Sequence, residues 1–224
     1  MRRLLLATSG VVVIISTNQA AAQPAGGAQP ESLKSVVVGL ANAGVPAGIV
    51  AAEDAVHRGD GTSGFSSKEP EALRPVLRAR VAALAVPLST ELVGGVWHLK
   101  AEDAPAALLA RLNRSTRLTA DVDGTVASVL YRVVSQALLQ RDIGGVLGTG
   151  LFSNACRLDQ PIRMKVGEYS VEALLDEVVK QAPGLVWFVS YPGPARATEA
   201  SNRLTFGIVC PGGENVKVTL SDLP

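Results

Sequence analysis

The chain has 224 residues, of which 47% are hydrophobic, 4% aromatic and 18% charged, and its formal net charge is +1. Lysine and arginine are not clustered as nucleic-acid binding requires, so we expect no nucleic-acid partner. The length allows one large domain or two small ones, and the few aromatic residues leave Val, Leu, Ile and Ala to build the core.

Residues 1–22 have the features of a cleavable signal peptide. Two arginines supply the positive charge, an uncharged apolar run covers 4–15, and three alanines precede Gln23. Signal peptidase accepts small residues at this point, so we expect cleavage near Ala22. The apolar run is shorter than the roughly 20 residues of a membrane anchor. Cleavage lowers the basic residues from 21 to 19 against 20 acidic ones, and we expect a periplasmic or secreted mature chain that does not span a membrane.

The region from residue 31 to residue 92 follows a Pro/Gly/Ala linker at 23–30 and is predicted to be helical and mixed. An apolar stripe with helical spacing over 33–41 predicts a first helix that stops at Gly44. A buried strand is predicted over 45–51, with Pro46 restricting its start to an edge or leading position. Residues 57–68 have the composition of a loop. A second helix over 69–85 should be divided or kinked at Pro75.

The region from residue 93 to residue 224 is predicted to contain strand–helix–strand units, and the fold class is α+β. A strand over 93–100 leads to a helix that Asp103 can cap. The inner face of this helix comprises Ala104, Ala107, Leu108 and Leu112. Alternation over 118–122 predicts another strand, followed by a turn at Asp123-Gly124 into a strand over 126–131.

The later elements of this region begin with a strand over 162–166. The apolar stripe from Val171 to Val179 predicts an amphipathic helix, whose acidic residues Glu168, Glu172, Asp176 and Glu177 we assign to a solvated face with Lys180. Strands follow over 185–191, 204–210 and 216–220, the last two joined by a hairpin. Shifting 96–112 by 66 residues places it on 162–178 without a gap, which suggests an internal repeat.

Two segments resemble a known module. Residues 98–131, with Leu99-Lys100-Ala101, Ala104-Pro105, Leu108-Leu109 and Asp123-Gly124, resemble the short N-terminal domain of secretins and TonB-dependent transporters. Residues 164–191 resemble the same pattern less fully, and Arg117 stands where the family usually has glycine. The resemblance implies one or two such units, at 93–132 and 160–222. It implies a small periplasmic module that docks on other proteins.

The two cysteines, Cys156 and Cys210, are expected to form a disulfide, because export removes the reducing glutathione pool. Closing the loop between them contributes about 4 kcal/mol in the chain-entropy model. The alternative is a pair of free buried thiols, which behave as small hydrophobic groups.

No catalytic, metal-binding or cofactor-binding set of residues stands out. His57 lies in a polar loop, and His98 lies on one strand face with its neighbours Trp97 and Leu99 on the other, so we interpret it as a structural residue. No spacing of His, Cys and carboxylates suits zinc. The glycine-rich stretch 144–150 lacks the Gly-Lys-Ser/Thr of a phosphate loop, and we interpret it as a connector.

These features favour an exported, non-enzymatic interaction module of the bacterial cell envelope with a protein partner. One alternative is an exported hydrolase that uses Ser63 and His57, with Asp60 close by in sequence. The other is a small-ligand-binding protein with an apolar surface near Trp97, Trp187 and Phe188. The partner, the binding residues and the oligomeric state stay open at this point.

Overall fold

The structure is a computed structural model that describes residues 31–57, 64–130, 156, 158–193, 204–213 and 215–220. The predicted signal peptide, the linker, Asp60, Ser63 and the glycine-rich stretch 144–150 lie outside the described residues. Within the described residues, no helix has both the length and the apolar character needed to cross a membrane.

A six-stranded mixed sheet with the strand order β10-β9-β8-β1-β3-β2 forms the centre of the fold. Its strands are β1 (Ala47–Ala52), β2 (Leu88–Val93), β3 (Val96–Ala101), β8 (Val186–Tyr191), β9 (Leu204–Val209) and β10 (Asn215–Leu220). β1 runs parallel to both β3 and β8, whereas the outer strands pair antiparallel. All six residues of β1 are buried. Pro46 therefore leads into a central strand and not an edge strand, and its carbonyl accepts the Trp97 N–H at 3.0 Å.

The prediction of one strand over 93–100 was wrong, because β2 and β3 form a hairpin that turns at Gly94-Gly95. Both glycines have positive φ, 55° and 88°. Two consecutive residues with positive φ form the tight turn whose twist matches that of paired strands, and glycine adopts this conformation without steric cost.

Two smaller sheets have two strands each. β4 (Ser115–Leu118) pairs with β7 (Gly167–Ser170), and β5 (Val122–Thr125) pairs with β6 (Pro161–Met164). The predicted turn at Asp123-Gly124 was wrong, because both residues belong to β5. The predicted strand over 126–131 was also wrong for Val126–Val129, which forms a short helix, α5. Thr125 and Ser128 form a capping box at its start, and this local signal favours the helix.

The other helices are α1 (Leu33–Asn42), α2 (Glu53–His57), α3 (Pro70–Ala82), α4 (Ala106–Leu112) and α6 (Val171–Gln181). α1 confirms its prediction, with the Ser32 side chain as N-cap and Gly44 beyond its end at φ 68°. α3 continues as one helix through Pro75, which corrects the expected division. The carbonyl that Pro75 leaves without a donor belongs to Glu71, an exposed residue, so water can satisfy it.

α4 differs from its prediction at the start. Pro105 is the N-cap residue without a side-chain hydrogen bond, and Asp103 instead accepts the Tyr191 hydroxyl at 2.7 Å. Leu108 and Leu112 are buried as predicted, whereas Ala107 is exposed. The helix therefore attaches through these two buried leucines and the partly buried Leu109, and Ala107 takes no part in its inner face.

The α+β class is confirmed by these helices and small mixed sheets. The 66-residue shift aligns α4 with α6, but it places β3 on β6, and these strands lie in different sheets. β1 comes from the region 31–92 and pairs with strands from the region 93–224, so both regions contribute to one sheet.

The predicted disulfide is confirmed. Cys156 and Cys210 are joined, with their Cα atoms 5.1 Å apart, and both are buried. The bridge links residue 156 to the end of β9.

Candidate functional site

A cluster of charged side chains lies buried between α6 and the central sheet. α6 begins at the N-cap Ser170, whose hydroxyl accepts the Ala173 N–H at 3.0 Å. Glu172 and Asp176 are one helical turn apart and are only 8% and 6% exposed. Residues four apart share one helix face, and here that face lies against the sheet.

This burial corrects the assignment of the acidic residues to a solvated face. Glu172 and Asp176 lie inside the protein, and only Glu177 pairs with Lys180, at 2.8 Å. Glu168 accepts the Ser115 hydroxyl across the small β4–β7 sheet. The acidic residues that look alike in the sequence therefore occupy different environments.

β3 supplies the basic partners. His98 and Lys100 point to the α6 side because alternate residues of a strand share a face. His98 Nε2 lies 3.0 Å from each carboxylate oxygen of Asp176, and its Nδ1 lies 3.2 Å from Glu172 Oε1. Lys100 Nζ lies 2.6 Å from the same Glu172 oxygen. Neither contact of Glu172 Oε1 has hydrogen-bond geometry, so this oxygen is held by ion pairing.

β1 and β8 complete the cluster with Gly48 and Trp187. The Trp187 indole N–H donates to Asp176 Oδ1 at 2.8 Å, and its ring meets His98 edge-on at 5.7 Å. Gly48 is paired with both His98 and Trp187 in the sheet. A Cβ at Gly48 would lie 2.0 Å from indole carbons, so only glycine leaves room for the ring.

The cluster fixes the position of α6 on the sheet. Its carboxylates accept from a tryptophan on β8 and contact a histidine and a lysine on β3, so that one helix is joined to two strands. Removing one partner of a buried ion pair leaves an uncompensated charge, which is strongly destabilising. Among the described residues, no three His, Cys, Asp or Glu side chains are grouped as metal ligands would be.

A second polar contact lies at the carboxyl ends of the parallel strands. Tyr191, at the end of β8, donates its hydroxyl to Asp103, which follows β3. Burial raises the pKa of Tyr191 well above its usual value, and the hydrogen bond to Asp103 raises it further. The tyrosine therefore stays a hydrogen-bond donor across the ordinary pH range.

The residues proposed for the two alternative functions lie in different places. His57 is the last residue of α2, whereas Ser63 and Asp60 lie outside the described residues. Trp97, Trp187 and Phe188 are all at most 2% exposed. Trp97 lies on the sheet face opposite His98, with the Arg74 guanidinium 5.5 Å from its ring. These aromatic residues pack in the core and do not form a common surface.

The outer side of β2 is an edge of the central sheet. Val93 and Val96 flank the two-residue turn and therefore exchange backbone hydrogen bonds with each other. In an antiparallel pair, such hydrogen-bonded pairs recur at every second residue, so every second residue of β2 bonds to β3 in this way. The Trp97 N–H points away from β2, to the Pro46 carbonyl, as this alternation requires. The N–H and C=O groups of Leu88, Thr90 and Leu92 therefore point outward, where no strand in the described part of the chain pairs with them.

The side chains of β2 alternate between half-buried and exposed. Leu88, Thr90 and Leu92 are half-buried on the face that carries Trp97, and the other face exposes Ser89, Glu91 and Val93. Proline and lysine commonly protect edge strands from further pairing, and β2 contains neither.

Comparisons of the chain with protein-family models, with curated proteins and with solved structures find no match.

Proposed function

We propose that the protein is an exported, non-enzymatic interaction module of the bacterial cell envelope, and that it binds an extended segment of a partner protein along β2. The observation that carries this proposal is the edge of β2, where the backbone groups of Leu88, Thr90 and Leu92 point outward. Adding a strand to a sheet edge gives affinity through backbone hydrogen bonds and specificity through alternate side chains.

The side chains of β2 indicate the chemistry of the partner segment. Leu88 and Leu92 are half-buried on the face of the sheet that carries Trp97. A partner strand with apolar side chains at alternate positions would extend this face and bury both leucines. Its other side chains would lie next to Ser89 and Glu91, which favours polar or basic residues there.

Export is supported by two observations of different kinds. Residues 1–22 have the charge and hydropathy pattern of a signal peptide. The Cys156–Cys210 disulfide is of a kind that persists mainly outside the reducing cytoplasm. The resemblance of 98–131 and 164–191 to the short N-terminal domain of secretins and TonB-dependent transporters supports a docking role in the envelope.

Replacing Thr90 by proline tests the edge directly. The Thr90 N–H points away from β3, so proline removes an outward donor and leaves the β2–β3 hydrogen bonds intact; edge strands tolerate such a proline. The matched control is Thr90→Ala, which shortens the side chain and keeps the N–H. Tagged proteins would capture partners from a cross-linked envelope extract, and each recovered partner would then be purified and titrated with both variants.

We expect Thr90→Pro to weaken binding by about tenfold or more, equivalent to about 1.4 kcal/mol, while Thr90→Ala binds as the unchanged protein does. Circular dichroism melting would show that both variants are folded. Equal affinities of the two variants for a purified partner would overturn the proposed binding mode. If the folded protein captures no partner, the interaction function itself is wrong.

A further inference from the structure

Two arginines of α3 lie on the side of that helix that faces β2. The helix lies beside both α1 and β2 and buries one apolar stripe, which consists of Leu73, Leu77 and Val81. Arg80 flanks this stripe on one side and pairs at 2.7 Å with Glu31, just before α1. With about 3.6 residues per turn, Arg74 and Arg78 flank the stripe on the opposite side. That side therefore faces β2.

The two arginines lie at different levels along β2. Arg74 lies at the Leu92 end, because its guanidinium is 5.5 Å from the ring of Trp97, which pairs with Leu92 in the sheet. The short connection from the end of α3 to the start of β2 places the later turns of the helix toward the other end of the strand. Arg78, one helical turn after Arg74, therefore lies nearer the middle of β2, at the level of Thr90.

Neither arginine has an anionic partner in the described part of the chain. Arg74 is half-buried and Arg78 is exposed, and neither forms an ion pair with a carboxylate of the described residues. A guanidinium that stacks on an aromatic ring still presents its planar set of donors to a carboxylate. A strand added to β2 would exclude water from this side of α3 and so strengthen the attraction between the arginines and an acidic side chain.

We propose that the partner segment carries an aspartate or glutamate opposite Thr90 and apolar side chains opposite Leu88 and Leu92; this inference rests on the strand addition proposed above. Side chains two residues apart along a strand share a face, so all three lie on the side of the sheet that carries α3. The acidic side chain lies between Arg74 and Arg78, and the apolar side chains cover the two leucines.

A second copy of the chain does not supply this pattern. If two β2 strands paired antiparallel about a two-fold axis, the α3 face of the added strand would present Leu88, Thr90 and Leu92, whereas Glu91 would lie on the opposite face. The two α3 helices would also turn their Arg78 sides toward each other, and like charges repel. The acidic segment therefore belongs to a different protein.

Peptides blocked at both ends test the acidic position, because they carry no terminal carboxylate. Three short peptides share valines at the two outer positions of one face and serines on the other face, and they differ at the central position of the valine face, which is glutamate, glutamine or lysine. Binding to the folded, disulfide-bonded protein is measured by fluorescence polarisation. We expect the glutamate peptide to bind about tenfold or more tightly than the glutamine peptide, because hydrogen bonds to charged groups are the stronger ones, and the lysine peptide to bind least.

Charge reversal on α3 should reverse this preference. With Arg78→Glu we expect the lysine peptide to bind more tightly than the glutamate peptide. Arg114→Glu is the matched control, since it reverses the charge of an exposed arginine beyond the end of α4 and should leave the order unchanged. Circular dichroism melting would show that the variants are folded. If Arg78→Glu does not fold, Arg74→Gln and the comparison of the three peptides on the unchanged protein still decide the preference.

The Thr90→Pro variant separates this inference from the proposed binding mode. If the three peptides bind equally and Thr90→Pro weakens all of them, strand addition at β2 holds and the acidic preference is wrong. If the glutamate peptide binds Thr90→Pro as tightly as the unchanged protein, it binds elsewhere and the inference is overturned. Binding of none of the peptides also overturns it, while the captured partner and the Thr90 variants still decide the binding mode. Dimerisation that Thr90→Pro abolishes, measured by sedimentation, would show that a second copy occupies β2 and would overturn the inference as well.

Discussion

Gly48 is the residue on which the packing of the central sheet depends most closely. It lies in β1 between His98 of β3 and Trp187 of β8, and the indole ring covers it. The ring has to lie there for its N–H to reach Asp176 at 2.8 Å. Glycine usually weakens a strand, but here the missing side chain makes room for a buried aromatic ring and its hydrogen bond.

Gly48→Ala should therefore destabilise the protein by about 1–3 kcal/mol or more, because the added methyl group forces the indole off its position in a packed core. Chemical denaturation would measure the change. Gly64→Ala is the matched control, since a Cβ there meets no atom within 4 Å. If Gly48→Ala costs no more than Gly64→Ala, the close approach of the indole is wrong.

At the scale of elements, α6 shows why an accurate helix prediction can still misplace its side chains. The apolar stripe from Val171 to Val179 fixes the helix and its buried face. Glu172 and Asp176 lie on the border of that stripe. Whether side chains at this border are buried or exposed depends on whether the neighbouring strand provides basic partners for them. His98 and Lys100 come from β3, far away in the sequence, so the local pattern contains no sign of the pairing.

Two neighbouring carboxylates of α6 should contribute very different amounts to the stability of the protein. Asp176→Ala is expected to cost about 3–5 kcal/mol, because it leaves the buried His98 ring and the Trp187 N–H without their acceptor. Glu177→Ala should change stability by less than about 1 kcal/mol, because it removes only an exposed ion pair with Lys180. Urea denaturation of both variants would measure this difference. Similar losses for the two would contradict the buried cluster.

Local signals account for the other differences between the predicted and the observed elements. Gly94-Gly95 is a two-residue turn signal, and the alternation of Leu88, Thr90 and Leu92 before it fits a strand, so the β2–β3 hairpin could have been found from the sequence. The capping residues Thr125 and Ser128 mark the start of α5 in the same way. By contrast, Asp123-Gly124 has the composition of a turn, and only its pairing with β6 makes it a strand.

At the scale of the whole molecule, the strand–helix–strand pattern predicted the α+β class, and the two cysteines with the expected export predicted the disulfide, but neither could predict the strand order. The position of β1 between β3 and β8 arises from two parallel pairings that are long-range in the sequence. Pro46 limited the predicted strand to an edge or a leading position, because a residue without an N–H argues against a place inside a central strand. The proline lies in the leading position just before β1. There its carbonyl accepts a hydrogen bond from β3, and a backbone N–H is not required of it.

Removing the disulfide should affect the stability of the whole fold. Replacing both Cys156 and Cys210 by alanine is expected to cost about 2–5 kcal/mol, because the bridge restricts the unfolded chain and both positions are buried. Denaturation of the unchanged protein with and without a reducing agent, compared with the double variant, would separate the bridge from side-chain packing. A double variant as stable as the oxidised protein would show that the bridge adds nothing.

The central place of β1 also affects the order in which the chain can fold. β1 is synthesised before one of its two neighbours, β8, because the residue that pairs with Ala47 is Val186, far later in the sequence. Long-range parallel pairing is slow to form, since the chain between the strands must first be ordered. Until β8 is synthesised, one edge of an entirely apolar strand has no neighbour. The nascent chain is therefore open to misassociation at β1, a strand whose six residues are all buried once the sheet is complete.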